Sequence, residues 1–289
     1  MIYRMLALNI DGTLLQSNGK LHKSTKEAIE YVQQKGIYVT LVTSRSFPSA
    51  RKVARALKLK SLLVSHQGAY IASAQEKPFF VKRIAEDITY DTVRFLEGFP
   101  CQIRLVHEQF SLANKQKINN DLLVKTVFTT GDPVFYSQQF VDSVSESLTE
   151  NPVSPPKIEV YFEEEEDLQD SVKALKSMFT EIELIKISPV RLDIVPAGIS
   201  KLSGLAFLCD HLGISQSEMV VIGDSNDDIT MIKAAGLGVA MGNAPYEVKK
   251  AADWITRSEN EHGVSYMVKE HFRKQQPIDF LKKMKIIKK

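Results

Sequence analysis

The strongest constraint on this chain is a rhythm. Residues 2–64 alternate short apolar runs with helical stripes: Ile2 to Leu8, then Ser24 to Lys35, Ile37 to Val42, Pro48 to Leu57, and Ser61 to Val64. The helical stretches show apolar residues on one stripe, as in Ala28, Ile29 and Val32, with Ser24 placed to cap and Gly36 to terminate. Each strand-like run is apolar throughout and turns polar at its C-terminal end, at Asn9-Ile10-Asp11-Gly12, at Thr43-Ser44 and at Gln67-Gly68. Uniformly apolar strands separated by amphipathic helices predict an α/β fold with a doubly wound parallel sheet. Such sheets bind ligands at the carboxyl ends of their strands, where these polar residues fall.

The rhythm breaks after about Lys82 and returns near Val190. Between those points lie strand-like runs, Gln102 to Val106 and Lys157 to Phe162, and helical patterns over Asp87 to Leu96, Gln138 to Leu148 and Leu168 to Phe179. The stretch Glu150 to Pro156 holds three prolines and reads as a loop. The acidic run Glu163 to Asp167 precedes a helix, where carboxylates favour the positive end of the dipole. Beyond Val190 come a helix over Ser200 to Leu212, a strand over Met219 to Ile222, a helix over Ser225 to Ala235, and strands at Leu237 to Met241 and Trp254-Ile255. The expected organisation is therefore one sheet domain, 1–82 and 188–272, split by an α+β insertion over 83–187 and followed by a basic extension, 273–289.

Length and composition narrow the function classes. A chain of 289 residues, 44% hydrophobic and 25% charged, buries a substantial core without disulfides. The net charge of +2 selects neither for nor against an anionic partner. Lys282, Lys283, Lys285, Lys288 and Lys289 concentrate positive charge at the C-terminus, which reads first as a solvated end. No nucleic-acid or membrane partner is expected. Cys101 and Cys209 are far apart and lack a CxxC spacing, which argues for two buried thiols in a reducing compartment. The N-terminal apolar stretch is too short for a signal peptide and no run reaches membrane-spanning length, so a cytoplasmic location is expected.

Four short segments carry chemistry. In Asn9-Ile10-Asp11-Gly12-Thr13-Leu14, residues 9 and 11 leave the strand on one side, and Gly12 permits a sharp departure whose free N–H groups suit a phosphate. In Gly223-Asp224-Ser225-Asn226-Asp227-Asp228, three carboxylates within five residues repel unless a cation or lysine compensates, and hard oxygens fit Mg²⁺. An N-cap with dipole-favoured acids explains that segment equally well in isolation. Thr43 and Arg45 bring a hydroxyl and a fixed cation to the second strand end, although Thr43 also reads as a cap for the following helix. Lys201 sits at a helix start, where a lysine is unfavourable without a local anion.

Taken together, the order and spacing of these segments resemble the haloacid dehalogenase (HAD) superfamily, and within it the Cof-type, subclass IIB, sugar-phosphatase-like branch. The family's Asp-x-Asp-Gly-Thr-Leu matches Asn9 to Leu14, its Thr or Ser matches Thr43, and its following Gly-Arg appears as Ser44-Arg45. Its lysine matches Lys201, and its Gly-Asp-x-x-Asn-Asp-x-x-Met matches Gly223 to Met231 with Asp227 in place of Asn. The runs Val239 to Ala244 and Asn260 to Val264 also resemble this branch, and the likeness covers about residues 1–272.

The resemblance implies a HAD-like core with a C2-type cap and a Mg²⁺-dependent phosphatase acting on a small phosphorylated metabolite. It implies that residue 9 is the nucleophile position and Asp11 the general acid/base. Thr43, Ser44 and Lys201 would hold phosphate, and Asn9, Asp11 and Asp224 the metal. Arg45, Asp227, Asp228 and Asn243 would support them. Asn9 breaks this scheme at its centre, because a carboxamide is a far poorer nucleophile than a carboxylate, although its carbonyl can still ligate Mg²⁺. Ser44 for Gly and Gln67 for a frequent Asn are milder departures. Three readings of Asn9 compete: natural divergence to a weak phosphatase or a non-catalytic binder, an introduced change that blocks turnover, and direct attack of water supported by Asp11, Asp227 or Asp228. Two functions follow as alternatives, a phosphomonoester hydrolase and a phosphometabolite sensor, with a lysine-tail contact to nucleic acid or membrane as a distant third.

Overall fold

The computed structural model describes residues 2–73, 78–115 and 136–283. The first half of the core comprises β1 (Met5–Leu8), α1 (Lys23–Gln34), β2 (Tyr38–Leu41), α2 (Phe47–Ala56) and β3 (Leu62–Ser65), then β4 (Tyr70–Ser73) and β5 (Phe80–Val81). The insertion contributes α3 (Glu86–Leu96), β6 (Cys101–Val106), β7 (Phe110–Asn114), β8 (Ser137–Val141), α4 (Val144–Glu150), β9 (Lys157–Phe162), α5 (Glu165–Met178), β10 (Ile182–Ser188) and β11 (Arg191–Pro196). The core resumes with α6 (Lys201–Leu212), β12 (Met219–Gly223), α7 (Ile229–Ala234), β13 (Leu237–Ala240), α8 (Tyr246–Ala251), β14 (Trp254–Ile255), α9 (Gly263–Phe272) and α10 (Phe280–Lys283).

The core sheet runs β14-β13-β12-β1-β2 and every pairing in it is parallel. A parallel bridge from Val42 to Val64 carries it on towards β3, which opens a small antiparallel sheet β3-β4-β5 that the rhythm of the sequence did not announce. Alternation sorts the strand residues into two helical layers. Leu6 and Leu8 of β1 join the layer of Ile29, Val53, Met267 and Phe272, whereas Met5 and Ala7 join that of Leu205, Leu208, Met231 and Ile232. Burial on both faces is why these strands read as unbroken apolar runs. The central strands β1 and β12 therefore end side by side, and the loops that follow them, at residues 9–13 and 224–228, meet.

Local capping differs from expectation at two helices. Helix α1 is capped by His22, whose Nδ1 accepts from the Ser24 N–H, so Ser24 lies inside the helix. Helix α2 is capped by Ser46, which leaves Thr43 free of that duty. Helix α6 starts with a capping box, Ser200 with Ser203.

The inserted sheet has the order β10-β11-β9-β6-β7-β8, antiparallel except where β7 meets β8. Its strand β11 corrects the expected boundary. Residues 188–196 do not resume the core, because Arg191–Pro196 pairs with β9 and β10 as the return strand of a hairpin. The expected helix over Gln138 to Leu148 is also corrected. Residues Ser137–Val141 pair with β7, and a new helix starts at Val144 because the Ser143 hydroxyl accepts from the Glu146 N–H. The run Glu165 to Asp167 does occupy the first turn of α5. Of the C-terminal lysines, Lys285, Lys288 and Lys289 lie outside the described residues. Among the described residues no helix is long and apolar enough to cross a membrane. Both cysteines are buried free thiols, and burial pushes each up to about 12.

One face of the inserted sheet is apolar and packs Ile103, Leu105, Ile158, Val160 and Phe162 against α3, α4 and α5. The opposite face is also buried, yet it carries Arg104, Lys157, Glu159 and Asp193. Glu159 anchors it: Lys157 lies 2.6 Å away, Arg191 3.3 Å and Arg104 3.4 Å. Burial works against the Glu159 charge, but the three cations prevail and hold its carboxyl below the usual range. Removing one partner from such a cluster leaves buried charge uncompensated. Glu159→Gln is expected to cost about 3 kcal/mol of stability, seen as a lower melting temperature in calorimetry. Because the folded carboxyl titrates below its unfolded value, the stability it contributes is present above the usual carboxylate pKa and lost as pH falls through the folded one. The Gln variant is expected to show a correspondingly shallower loss on acidification.

Candidate active site at the carboxyl ends of the central strands

The loop after β1 folds back tightly, with Gly12 at φ +65°. A Cβ at residue 12 would lie 2.1 Å from Asp224 Oδ2, so only glycine lets this loop pass over the loop after β12. Thr13 then donates its hydroxyl to Asp224 Oδ1 at 2.7 Å. Asn243, following β13, donates to the Gly12 carbonyl at 2.9 Å and accepts from the Glu259 N–H, which ties the turn down from the far side.

Asn9 is buried and lies at the meeting point of the two loops. Its amide nitrogen donates towards the Asp11 carbonyl at 3.1 Å, Asp224 Oδ1 at 3.0 Å and Asp228 Oδ2 at 3.3 Å. Asp228 is wholly buried; its Oδ2 also accepts from the N–H groups of Asp224 and Ser225, and its Oδ1 accepts from Lys201 Nζ at 2.7 Å. Lys201 reaches a second carboxylate, Asp227, at 2.9 Å. Burial lowers the Lys201 pKa, but Asp227 and Asp228 more than offset that and raise it above the ordinary lysine value. Asp227 is pushed up by burial, yet Lys201, Ser225 and Gln67 carry it below the usual range. For Asp228 burial wins, and the carboxyl lies above that range. Partial burial and the neighbouring Asp228 push Asp224 up to about 7 against the hydrogen bonds from Thr13 and Asn9.

The second strand end joins from the side. Thr43 is buried and its hydroxyl accepts from the Arg45 N–H at 3.1 Å. Arg45 reaches across to Asp11, with Nε 2.7 Å from Oδ2 and a second nitrogen on Oδ1. This two-pronged pair holds the Asp11 side chain at the open edge of the site, where it is 57% exposed. The Ser44 carbonyl points to the inserted sheet and accepts from Lys157 Nζ at 2.5 Å.

The structure thus brings Asn9, Asp11, Asp224 and Asp228 into direct contact and links Lys201, Asp227 and Arg45 to them. Thr43 and Ser44 stand at the adjacent strand end. Asn243 supports the loop from behind. Sequence reasoning passed over Thr13, Lys157 and Asp193. Gln67 Nε2 donates to Asp193 of the inserted sheet at 3.1 Å and to Asp227 at 2.9 Å, with left-handed backbone at His66 and Gln67. A signal for the inserted-sheet residues existed: charges at alternate positions, Lys157 and Glu159, then Arg191 and Asp193, place one polar face on adjoining strands. A cavity of about 430 Å³ opens beside these groups, lined by Gln67, Lys186, Ser200, Lys201, Asp227 and Thr230.

The oxygens gathered around residue 9 can be tested against a divalent cation. Among the described residues no three His, Cys, Asp or Glu side chains surround one point. The set is instead mixed: a backbone carbonyl, the Asp224 carboxylate and an amide, all hard oxygen donors once the Asn9 amide turns its carbonyl inward. These fit Mg²⁺, which takes few protein ligands and keeps several waters.

A parallel sheet with carboxylates, a lysine and a hydroxyl converging at its strand ends, and an α+β insertion over them, defines a phosphoryl-transfer type of hydrolase fold. The sequence pattern of the haloacid dehalogenase-like hydrolases matches residues 6–268, and the chain belongs to that family. It is 52% identical over 280 residues to the stress response protein YhaX of Bacillus subtilis, covering 97% of each chain. It is 28% identical to the 5-amino-6-(5-phospho-D-ribitylamino)uracil phosphatase YcsE of the same organism, covering 92% of this chain and 94% of that one. A haloacid dehalogenase-like hydrolase structure from B. subtilis superposes with a TM-score of 0.80 at 24% identity, covering 93% of this chain and 99% of the other.

The close passage at Gly12 yields a direct test. Gly12→Ala is expected to cost at least about 2 kcal/mol through left-handed strain plus collision with Asp224. Gly19→Ala, also at positive φ but with nothing within 4 Å of the new Cβ, should cost only the backbone part, about 1 kcal/mol. Thermal unfolding of the two variants side by side checks the difference.

Proposed function

We propose that this protein is a phosphomonoester hydrolase of the cytoplasm, dependent on Mg²⁺ and acting on a small phosphorylated metabolite, with turnover held low by Asn9. The observation that carries the reading is the convergence of Asn9, Asp11, Asp224, Asp228 and Lys201 at the carboxyl ends of β1 and β12. In this reading the Asp11 carbonyl, Asp224 and the turned amide oxygen of Asn9 hold the cation. When bound, the cation neutralises charge on the phosphoryl oxygens. Lys201 and the Thr43 hydroxyl meet the remaining oxygens, and the loop N–H groups after β1 close the cradle.

Asp11, oriented by Arg45, is the group placed to exchange a proton with water or with the leaving oxygen. Asn9 lacks the carboxylate that would attack phosphorus, so a covalent route is not open at this residue. Hydrolysis would instead proceed by water, with Asp11 taking its proton, at a rate far below that of a carboxylate nucleophile. The inserted sheet supports the substrate side, because Lys157 on Ser44 and Gln67 on Asp193 bring its polar face against the phosphate loops. Substrate class follows from the roughly 430 Å³ cavity beside Lys201, which suits a metabolite and not a polymer.

A second reading, a phosphometabolite-binding protein without turnover, is favoured by one specific observation. Lys201 is already shared by Asp227 and Asp228, and Asn9 presents a donor where a nucleophile would stand. Phosphate release from a panel of small phosphoesters, with Mg²⁺ and with chelator, separates the two. The native chain is expected to release phosphate slowly but above the chelated control. Asn9→Asp combined with Asp227→Asn should be faster by at least about a hundredfold. Release only from the double variant would favour the binding reading, and release from neither would overturn the hydrolase assignment.

A further inference from the structure

The Asn9 amide sits where opposite demands meet. Three oxygens, the Asp11 carbonyl of the loop after β1 and Asp224 Oδ1 and Asp228 Oδ2 of the loop after β12, all lie within 3.0–3.3 Å of one nitrogen atom. Oxygens crowded in this way repel unless a positive centre stands among them. Nδ2, bearing two polarised hydrogens, is that centre, and Thr13 adds a further donor to Asp224. The same two oxygens that would hold a divalent cation, the Asp11 carbonyl and Asp224, are thus hydrogen-bonded by residue 9 itself.

We infer that the Asn9 side chain is a built-in stand-in for the divalent cation: its amide donors latch the strand-end oxygens together, so the site keeps its shape without metal. Metal binding then competes with the latch, because the amide must turn to offer oxygen and the three hydrogen bonds must be given up. Asp227 completes the exchange. Relative to the family pattern, residue 9 lacks one carboxylate and residue 227 gains one, so the count of carboxylates is unchanged while one is moved from the cation position to Lys201. Lys201 compensates Asp227 and Asp228, leaving Asp224 and the Asp11 carbonyl to Asn9. The charge distribution is that of a site assembled to stand without a dication, and a carboxylate at residue 9 would reverse it.

This inference rests on the proposed reading of residue 9 as a position in a cation shell, and it is tested without any phosphoester. Thermal unfolding is followed for the full chain and for Asn9→Asp and Asn9→Ala, at mildly alkaline pH, in chelator and in millimolar Mg²⁺. The native chain is expected to change by less than about 1 °C between chelator and Mg²⁺. Asn9→Asp should melt at least about 4 °C lower than the native chain in chelator and recover most of that loss with Mg²⁺. An Asn9→Asp variant as stable as the native chain in chelator overturns the proposal, as does a native chain that gains as much from Mg²⁺ as the variant does. If Asn9→Asp yields no folded protein in either buffer, Asn9→Ala decides. It removes the three hydrogen bonds without adding charge, so it should be destabilised in chelator and rescued by Mg²⁺, and insensitivity to both overturns the latch. Failure here leaves the hydrolase reading to the phosphate-release assay, which reads turnover and not the stability of the site.

Discussion

Everything at the active end of this molecule depends on how three carboxylates of one loop, the half-buried Asp224 and Asp227 and the buried Asp228, are kept in place. Thr13 on Asp224 and Gln67 on Asp227 contribute, and two groups from elsewhere in the chain bridge the rest. Lys201 at the start of α6 takes Asp227 and Asp228, and the Asn9 amide at the end of β1 takes Asp224 and the second oxygen of Asp228. Each compensation requires the central strands to run parallel and side by side, so that β1, β12 and the start of α6 deliver their ends to one place. The sheet's apolar strands supply the rigidity, and the polar ends supply the chemistry.

The inserted sheet extends that electrostatic frame. Its buried polar face carries Arg104, Lys157 and Arg191 against Glu159 and Asp193, and it meets the core through Lys157 on the Ser44 carbonyl and Gln67 between Asp193 and Asp227. Gln67 is the hinge of this arrangement in a chemical sense. One side-chain amide joins a carboxylate of the insertion to a carboxylate of the core, and its left-handed backbone aims it there. The insertion therefore meets the core loop through the Gln67 side chain and the second strand end through Lys157.

Much of this was legible in advance, for identifiable reasons. The parallel core could be read because strands buried on both faces leave uninterrupted apolar runs, and because helices packed on one face leave a stripe. The site segments could be read because glycine and clustered acids at strand ends have few other uses. Elements set by pairing partners were not legible. Ser137–Val141 looked helical because its polar residues carry no strand alternation of burial, and only the neighbouring β7 makes it a strand. Likewise Arg191–Pro196 looked like the return of the core, since an apolar run does not disclose which sheet it joins. His22 in place of Ser24 as a cap depends on a ring nitrogen reaching back over two residues.

The sequence by itself determined the family, the order of the strand-end motifs and the departure at residue 9, because those are properties of residue type and spacing. Only the tertiary structure decided what the departure does. That the Asn9 amide meets Asp224 and Asp228, that Asp227 engages Lys201, and that Asp11 is held by Arg45 are facts of distance between segments remote in the chain. A carboxamide and a carboxylate have nearly the same shape, so the fold accepts either. The difference lies in whether the surrounding oxygens face a donor or another negative charge, and that is settled only when the strands are laid side by side.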